Sequence, residues 1–294
     1  MADDKAPNSE MLVSPTGENS LPAPPKDAVQ RRLLAALRAA DTINGRLDKI
    51  NSTSSGQERV FAFVQYTSHA LHHILAAAPW IALQARLGLL ARLRSKPTTT
   101  TGKATPQAQT SPLLTLSSLM SQARYLLRLQ GLPSLFAWGS ATLKSPPSDN
   151  IIYVLTLLQV LSNIIYQSLE NVSFLSAKGV IPARILDRYG GAGKWDLWST
   201  RAWLGHIILQ YFVLWRAKVL REKAVVEGAS KEEQERLKGE VRAWKKSLVN
   251  NVCWTPLCLH WSVEGGVGFP GQLTGVVSFL AGAWGFYDLW NSSL

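Results

Sequence analysis

The segment Gly268–Tyr287, GFPGQLTGVVSFLAGAWGFY, is 20 residues long and contains no charged side chain. A helix of that length crosses the roughly 30 Å hydrocarbon core of a bilayer. Trp284 and Tyr287 near its end are residue types that favour the headgroup level. The sequence therefore ranks this segment first as a transmembrane helix. The uncharged stretch Ile151–Leu169 is a marginal second candidate, because six of its nineteen side chains are polar.

Small residues recur along one side of the first segment at spacings of four and three. Such a stripe allows close approach between helices in lipid. In a helix exposed to water, each glycine would instead cost about 1 kcal/mol. The pattern predicts helix packing, within one chain or between chains. The residues concerned are Gly271, Gly275, Ser278, Gly282 and Gly285.

The composition also favours an apolar environment. Hydrophobic residues make up 46% of the chain and charged residues 17%, against about a quarter charged in soluble domains. The net charge of +11 favours an anionic partner. No acidic residue lies between Glu58 and Asp149, and the nine cations there alternate with apolar residues. That arrangement is typical of a membrane interface rather than of a nucleic-acid-binding stripe.

We therefore expect an anionic phospholipid surface as a partner, and no nucleic acid. The cations expected to meet lipid headgroups are Arg59, Arg86, Arg92, Arg94, Arg124 and Arg128.

Periodicity predicts an all-α, membrane-associated protein with N-terminal amphipathic helices and a C-terminal transmembrane helix. Residues 1–27 are expected to be a disordered tail. Residues 28–150 form an amphipathic-helix region with a flexible insertion at 96–112. Residues 151–294 form a membrane-associated helical region that includes a charged helix at 216–246.

Helices are predicted near 27–50, 57–78 and 113–129, and Pro256 is expected to divide the uncharged stretch 248–263.

The helix predicted at 57–78 is the candidate for insertion into a membrane. Its polar side includes His69, His72 and His73, which would strengthen lipid binding when protonated. An ordinary helix facing a protein core remains the alternative. The apolar residues expected to insert are Val60, Phe61, Phe63, Val64, Leu71, Ile74 and Leu75.

The sequence contains no pattern typical of an enzyme, a cofactor site or a metal site. The string GGAGK at Gly190–Lys194 resembles a phosphate loop, but Arg188 and Trp195 stand where that motif needs Gly and Ser or Thr. It predicts a turn. His69 and His73 have no third ligand nearby, and Cys253 and Cys258 are expected to be buried thiols. We expect no enzymatic activity, no cofactor and no bound metal.

Several stretches, in order, resemble the peroxin 11 family of peroxisome-proliferation proteins, most closely its divergent fungal C-type members. Together they cover about residues 56–290. The first three are Gln65-Tyr66 within the amphipathic helix, SQARYLLRLQG at 121–131 and ENVSFLSAKG at 170–179. The fourth is a C-terminal stretch, which consists of a basic lead-in to Cys253, the residues His260-Trp261-Ser262, and a glycine-bearing helix that ends at Trp290.

This resemblance implies a protein of the peroxisomal membrane that promotes peroxisome elongation, proliferation and division. The implied mechanism is insertion of an amphipathic helix together with self-association. Implied partners are other family members, dynamin-related fission machinery and a peroxisomal membrane-protein import receptor. A membrane channel or metabolite carrier is the first alternative, and a soluble helical scaffold or enzyme is the second.

Overall fold

The computed structural model describes residues 26–77, 87, 111–224 and 231–293, and every regular element in them is helical. The predicted all-α class is confirmed for this part of the chain. The helices are α1 Lys26–Asn51, α2 Ser54–Ala77, α3 Pro112–Arg128, α4 Gly131–Lys144, α5 Asn150–Ala177, α6 Ala183–Asp187, α7 Ala192–Ala224, α8 Lys231–Trp261 and α9 Thr274–Ser292, with a 3₁₀ turn at Gly271–Leu273 before α9.

The chain divides into two units, residues 1–45 and 46–294. The described part of the first unit is the N-terminal portion of α1, whose apolar side chains are exposed, including Leu33 at 59% and Leu37 at 57%. The second unit contains every other element. The predicted tail at 1–27 lies outside the described residues apart from the first residues of α1, and the predicted insertion lies outside them apart from residues 111 and 112.

The break between α1 and α2 lies at the sequence NSTSSG, between the two helices predicted near 27–50 and 57–78, and its polar residues and glycine favour a break and a cap. Thr53 Oγ1 accepts a hydrogen bond from the Gly56 amide at 3.1 Å, which is the geometry of a helix N-cap. Gly56 is buried, and a side chain there would collide with the carbonyl oxygen of Ile50. The glycine is therefore needed for the close packing of this turn.

The charged stretch 216–246 includes the end of α7, up to Ala224, and the start of α8, from Lys231, and residues 225–230 lie outside the described residues. One expectation about the C-terminal half is corrected. Pro256 does not divide its segment, since α8 continues through it to Trp261. Leu257 and Cys258, which follow the proline, are fully buried. Packing on both sides of Pro256 outweighs the cost of the backbone hydrogen bond that proline removes.

Within the second unit the helices form a closed ring. Helix α5 packs on α7, α7 on α8, α8 on α9, α9 on α2, and α2 on α3; α4 packs on α5, and a smaller contact joins α3 to α5. The interior of the ring contains an unusual share of polar groups. Gln159, Gln167, Asn251 and Ser278 are all buried, while many aliphatic side chains are exposed on the outside.

Candidate membrane-binding surface and interior cavities

A ladder of polar contacts joins α5 to α7, which run antiparallel. Asp149 pairs with Arg216 at 2.7 Å at one end. In the middle, Gln159 Nε2 donates to Gln210 Oε1 at 2.6 Å, and Asn163 Nδ2 lies 2.8 Å from His206 Nδ1. At the other end, Ser173 Oγ donates to Asp196 Oδ1 at 2.5 Å. We call these four pairs the polar seam. The polar residues that made Ile151–Leu169 a marginal span are thus largely hydrogen-bonded inside the protein.

The opposite side of α5 is apolar and exposed. Its side chains recur at spacings of three and four residues, and each is between 44% and 54% exposed. We call this set the outer stripe. It consists of Ile151, Val154, Leu158, Leu161 and Ile165. Over the described residues, α5 is the one helix long and apolar enough to cross a membrane.

This result reverses the ranking of the two candidate spans. The segment Gly268–Tyr287 is not one continuous helix, because Gly268 has a left-handed φ of 79° and α9 begins only at Thr274. The helix that remains is 19 residues long and includes Asp288 near its end. The C-terminal part of α9 therefore carries a charge, whereas a membrane-spanning helix would be apolar there.

The predicted small-residue stripe packs against α2 of the same chain over part of its length. At Gly275 an added Cβ would lie 2.8 Å from the Ala70 amide nitrogen, and Ser278 is fully buried. The Gly285 carbonyl accepts a hydrogen bond from Arg59 Nη1 at 3.3 Å. Gly271 lies before α9, and a Cβ added there or at Gly282 would have no atom of the described residues within 4 Å.

The apolar residues of α2 expected to insert into a membrane divide into two groups. Phe63 is directed into the protein, where its ring lies 4.5 Å from that of Phe286 and 5.5 Å from that of Phe279. An inserting role for Phe63 is therefore corrected. Leu71 and Ile74 face outward and are 41% and 61% exposed. The remaining members are half-buried: Val60, Phe61, Val64 and Leu75.

Two of the cations expected to meet lipid headgroups are instead held inside the ring. Arg124 makes an ion pair with Glu58 at 2.6 Å and donates to Gln65 and Tyr66 of α2, and its side chain is 12% exposed. Arg128 pairs with Glu170 at 3.3 Å. The headgroup role of both is corrected, because carboxylates outside the acid-free run neutralise them.

The other predicted headgroup cations are either exposed or not described. Arg59 is exposed on α2. The remaining three lie outside the described residues: Arg86, Arg92 and Arg94.

The histidines of α2 form a cluster rather than an open polar face. The ring of His73 lies 4.7 Å from that of His69 and 4.8 Å from that of His72. Burial, followed by the charges of His73 and His72, lowers the pKa of His69. Protonation of this residue near neutral pH is therefore disfavoured. No group of three His, Cys, Asp or Glu suited to a metal occurs among the residues that the structure describes.

The first two residues of the glycine-rich string form a turn before α7, as predicted, and the last three form the start of that helix. Gly190 and Gly191 have φ angles of 96° and 83°, which ordinary side chains rarely adopt. Ala192 then begins α7. Of the two cysteines, Cys258 is fully buried and Cys253 half-buried, and burial raises the pKa of the Cys258 thiol to about 12.

Two cavities, each partly open to the surface, lie between the helices of the ring, and the sequence did not predict them. The larger has a volume of about 1050 Å³ and the smaller about 380 Å³. Both are lined by Tyr66, Arg124 and Trp254, so the cavities meet at these side chains. Tryptophans of the C-terminal half line the larger cavity, where Trp203 packs against Trp254 with ring centroids 5.2 Å apart.

An all-helical protein with a polar interior and an apolar outer stripe belongs to the general class of membrane-associated helical proteins. The sequence model of the family "Peroxisomal biogenesis factor 11 (PEX11)" matches residues 90–290, which is more than half of the chain. The protein therefore belongs to the PEX11 family, as the resemblance predicted, and is associated with peroxisome biogenesis. The match begins after α1 and α2.

A fission yeast protein is also similar to this chain. "Uncharacterized protein C1F12.04c" of Schizosaccharomyces pombe is 29% identical over 167 residues, which are 56% of this chain and 70% of the relative. This similarity is consistent with a divergent fungal member of the family. No solved structure gives a significant match to the chain.

Proposed function

We propose that this PEX11-family protein is embedded in the peroxisomal membrane and promotes elongation, proliferation and division of the organelle. The observation that supports this proposal most is the arrangement of α5, which has aliphatic side chains on the outside and hydrogen-bonded polar side chains inside. A helix of a soluble protein has the opposite arrangement. In hydrocarbon, every polar group must find a partner within the protein, and the polar seam provides these partners.

The dimensions of the α5–α7 pair support the same proposal. The part of α5 between Asp149 and Glu170 contains 20 residues and no charge, so it is about 30 Å long, which is the thickness of a hydrocarbon core. On α7, Trp195 and Trp215 are also 20 residues apart, or about 30 Å. The two charged residues between them, Asp196 and Arg201, lie near one end and are hydrogen-bonded to the Ser173 hydroxyl and the Ser262 carbonyl. Tryptophans at both ends of such a distance are typical of the two membrane interfaces.

Leaflet expansion is proposed to come from exposed apolar side chains on the helices beside this pair. These include Leu71 and Ile74 of α2 and Leu119 and Leu126 of α3, which are 41% to 61% exposed. Inserted into the cytosolic leaflet, they would increase its area and favour positive curvature. Because Phe63 and Arg124 fasten α2 to its neighbours, we propose that α2 acts as part of the bundle and not as a free peptide.

Self-association would concentrate these side chains in the membrane. Gly275 and Ser278 already pack within the chain, so a second copy must use another surface. The outer stripe has the spacing of three and four residues that helix pairs use. Interaction with dynamin-related fission machinery and delivery by a membrane-protein import receptor remain proposals that follow from the family.

The proposal is tested with the full-length protein in isolated peroxisomes. Alkaline carbonate should leave it in the membrane pellet, and its release into the supernatant would contradict an embedded bundle. Overproduction should lengthen peroxisomes, measured by fluorescence microscopy. A variant with Leu71→Gln and Ile74→Gln should remain in the membrane pellet and lose the lengthening. Full lengthening by that variant would contradict the leaflet-expansion mechanism.

A membrane channel or carrier is a second candidate function, favoured by the two cavities that meet at Tyr66, Arg124 and Trp254. Such a protein needs polar side chains along an interior path, and these cavities provide them over much of the ring. Purified protein in liposomes should then release entrapped small solutes, and Arg124→Ala should change the release rate by widening the meeting point. Liposomes that hold their solutes with both proteins would exclude this function.

A further inference from the structure

The larger cavity has no role in leaflet expansion. Its volume of about 1050 Å³ lies at the upper end of the range for small-molecule sites, about 300 to 1000 Å³. Part of its wall is aromatic. Trp203, Trp254 and Trp261 all line it, and the ring of Trp203 lies 5.2 Å from Trp254 and 6.3 Å from Trp261. Aromatic walls of this kind suit an apolar body or a cationic group.

The charged side chains of the cavity are of two kinds. Arg124 and Arg128 are neutralised by Glu58 and Glu170, as described above. The other three have no ion-pair partner among the described residues: Lys194, Asp196 and Glu264. Within the same part of the chain, the side chain of Asp196 accepts a hydrogen bond only from the Ser173 hydroxyl. All three residues are exposed, so one ammonium group and two carboxylates lie at the open side of the cavity, where no described residue neutralises them.

These unpaired charges define the chemistry of a ligand. The two carboxylates and the aromatic rings attract a cation, since rings carry negative charge on their faces. The ammonium group of Lys194 attracts an anion. A simple anion would meet two carboxylates, and a simple cation would leave Lys194 without a partner. A ligand that carries both charges satisfies all three side chains.

We propose that this cavity binds a zwitterionic group composed of an ammonium and a phosphate, such as phosphocholine. Asp196, Glu264 and the tryptophans would hold the ammonium, and Lys194 would hold the phosphate. The group has two possible sources, the headgroup of a membrane lipid and a free water-soluble molecule. Trp261 and Val263 line the cavity and are also 39% and 41% exposed on the surface. They therefore provide an apolar route by which lipid chains could enter the cavity.

The first experiment measures ligand binding to the full-length protein in maltoside micelles by isothermal titration calorimetry. The probes are diheptanoylphosphatidylcholine, diheptanoylphosphatidylglycerol and glycerophosphocholine. The choline lipid should bind one-to-one and at least about tenfold more tightly than the glycerol lipid, which lacks the ammonium. Comparable binding of glycerophosphocholine would assign a free zwitterion, and its failure to bind would assign a lipid headgroup.

Variants then locate the site. Asp196→Asn with Glu264→Gln, and separately Lys194→Gln, should each weaken binding of the preferred probe by about tenfold. Glu264→Gln alone provides a test if the double variant does not fold, since Glu264 is exposed outside the helices. The control is the double variant Lys238→Gln and Glu240→Gln on α8. These two side chains are 70% and 52% exposed, and the variant should bind the probe normally.

No binding, equal affinity for the two lipids, or unchanged affinity in folded variants would overturn the proposal. None of these results bears on whether α5 crosses the membrane.

Discussion

Helices α5 and α9 are both long and apolar, yet they use their apolar side chains in opposite ways. On α5 the aliphatic residues are outside and the polar ones pair with α7. On α9 the small residues Gly275, Ser278 and Ala281 are buried against neighbouring helices, and Asp288 near its end pairs with Arg242 and Lys246 of α8. Hydropathy alone does not distinguish a lipid-facing helix from a packed one. The position of the polar side chains around the helix does.

The largest expected effect compares one charge on each helix. Leu161 of α5 and Leu280 of α9 are 54% and 52% exposed, so they are matched in exposure. Arginine near the middle of a spanning helix costs about 3 kcal/mol, so Leu161→Arg should release much of the protein into the carbonate supernatant. Leu280→Arg should remain in the pellet. Equal release of the two variants would break the contrast between α5 and α9.

A second test acts on α2, the helix that covers α9. Arg124→Met leaves the Glu58 carboxylate without its partner and removes the donor to Gln65 and Tyr66. Breaking a buried ion pair in this way should lower the free energy of unfolding by about 3 kcal/mol, measured by denaturant titration in detergent.

Two further variants give the control and the reversal for Arg124. Arg59→Met removes one exposed contact and should change stability by about 0.5 kcal/mol or less. Adding Glu58→Gln to Arg124→Met should recover part of the loss, because no uncompensated charge then remains. If the Arg59 variant is as unstable as the Arg124 variant, Arg124 does not fasten α2.

A third test sharpens the description of α9 as a packed helix. Gly275→Ala places a methyl group 2.8 Å from the Ala70 amide nitrogen, so stability should fall by about 1–3 kcal/mol. The matched change Gly282→Ala meets no atom within 4 Å among the described residues. It should raise stability by about 0.5–1 kcal/mol, because alanine favours a helix interior over glycine. Thermal melting of both variants checks the two signs, and the same sign for both would contradict the packing.

The smallest expected effect concerns Asp288. Hydrogen bonds from Lys246 and Arg242 lower the pKa of this carboxyl, so the ionised form is more stable in the folded protein than in the unfolded chain. The stabilisation is present above the unfolded pKa of about 3.9 and is lost as the pH falls through the lowered folded value. Arg242 is 54% exposed, so the pair contributes about 1 kcal/mol or less.

Melting temperatures measured from pH 7 to pH 3 test this pair. Asp288→Asn should lower the melting temperature slightly at neutral pH and show a smaller loss in acid than the unaltered protein. Glu240→Gln, on the exposed face of α8, is the control and should follow the unaltered protein. An identical acid profile for the Asp288 variant would show that the pair does not hold α9 to α8.

The sequence predicted the N-terminal helices well because their signals are local. The predicted ends of α1, α2 and α3 lie within a few residues of the observed ones, and the cap at Thr53 lies between the helices predicted near 27–50 and 57–78. Apolar periodicity and capping residues depend only on neighbours in the chain. The family, too, was recognisable from the order of short motifs.

The roles of individual side chains were less predictable because they depend on partners far along the chain. Arg124 has its partner at Glu58, 66 residues away, so an acid-free run of sequence gave the false impression of free cations. The polar residues of α5 counted against a membrane span until their partners on α7 were known. The cavities depend on the closure of a six-helix ring, which has no local signal.

The polar seam has a consequence for how the protein is made. If α5 entered the hydrocarbon alone, Gln159 and Asn163 would lose water without gaining Gln210 and His206, at a cost of several kcal/mol for each unsatisfied group. The two helices should therefore enter together as a preformed hairpin. The ribosome must have completed at least Arg216 before that hairpin exists, so insertion would follow synthesis of most of the chain rather than proceed one helix at a time.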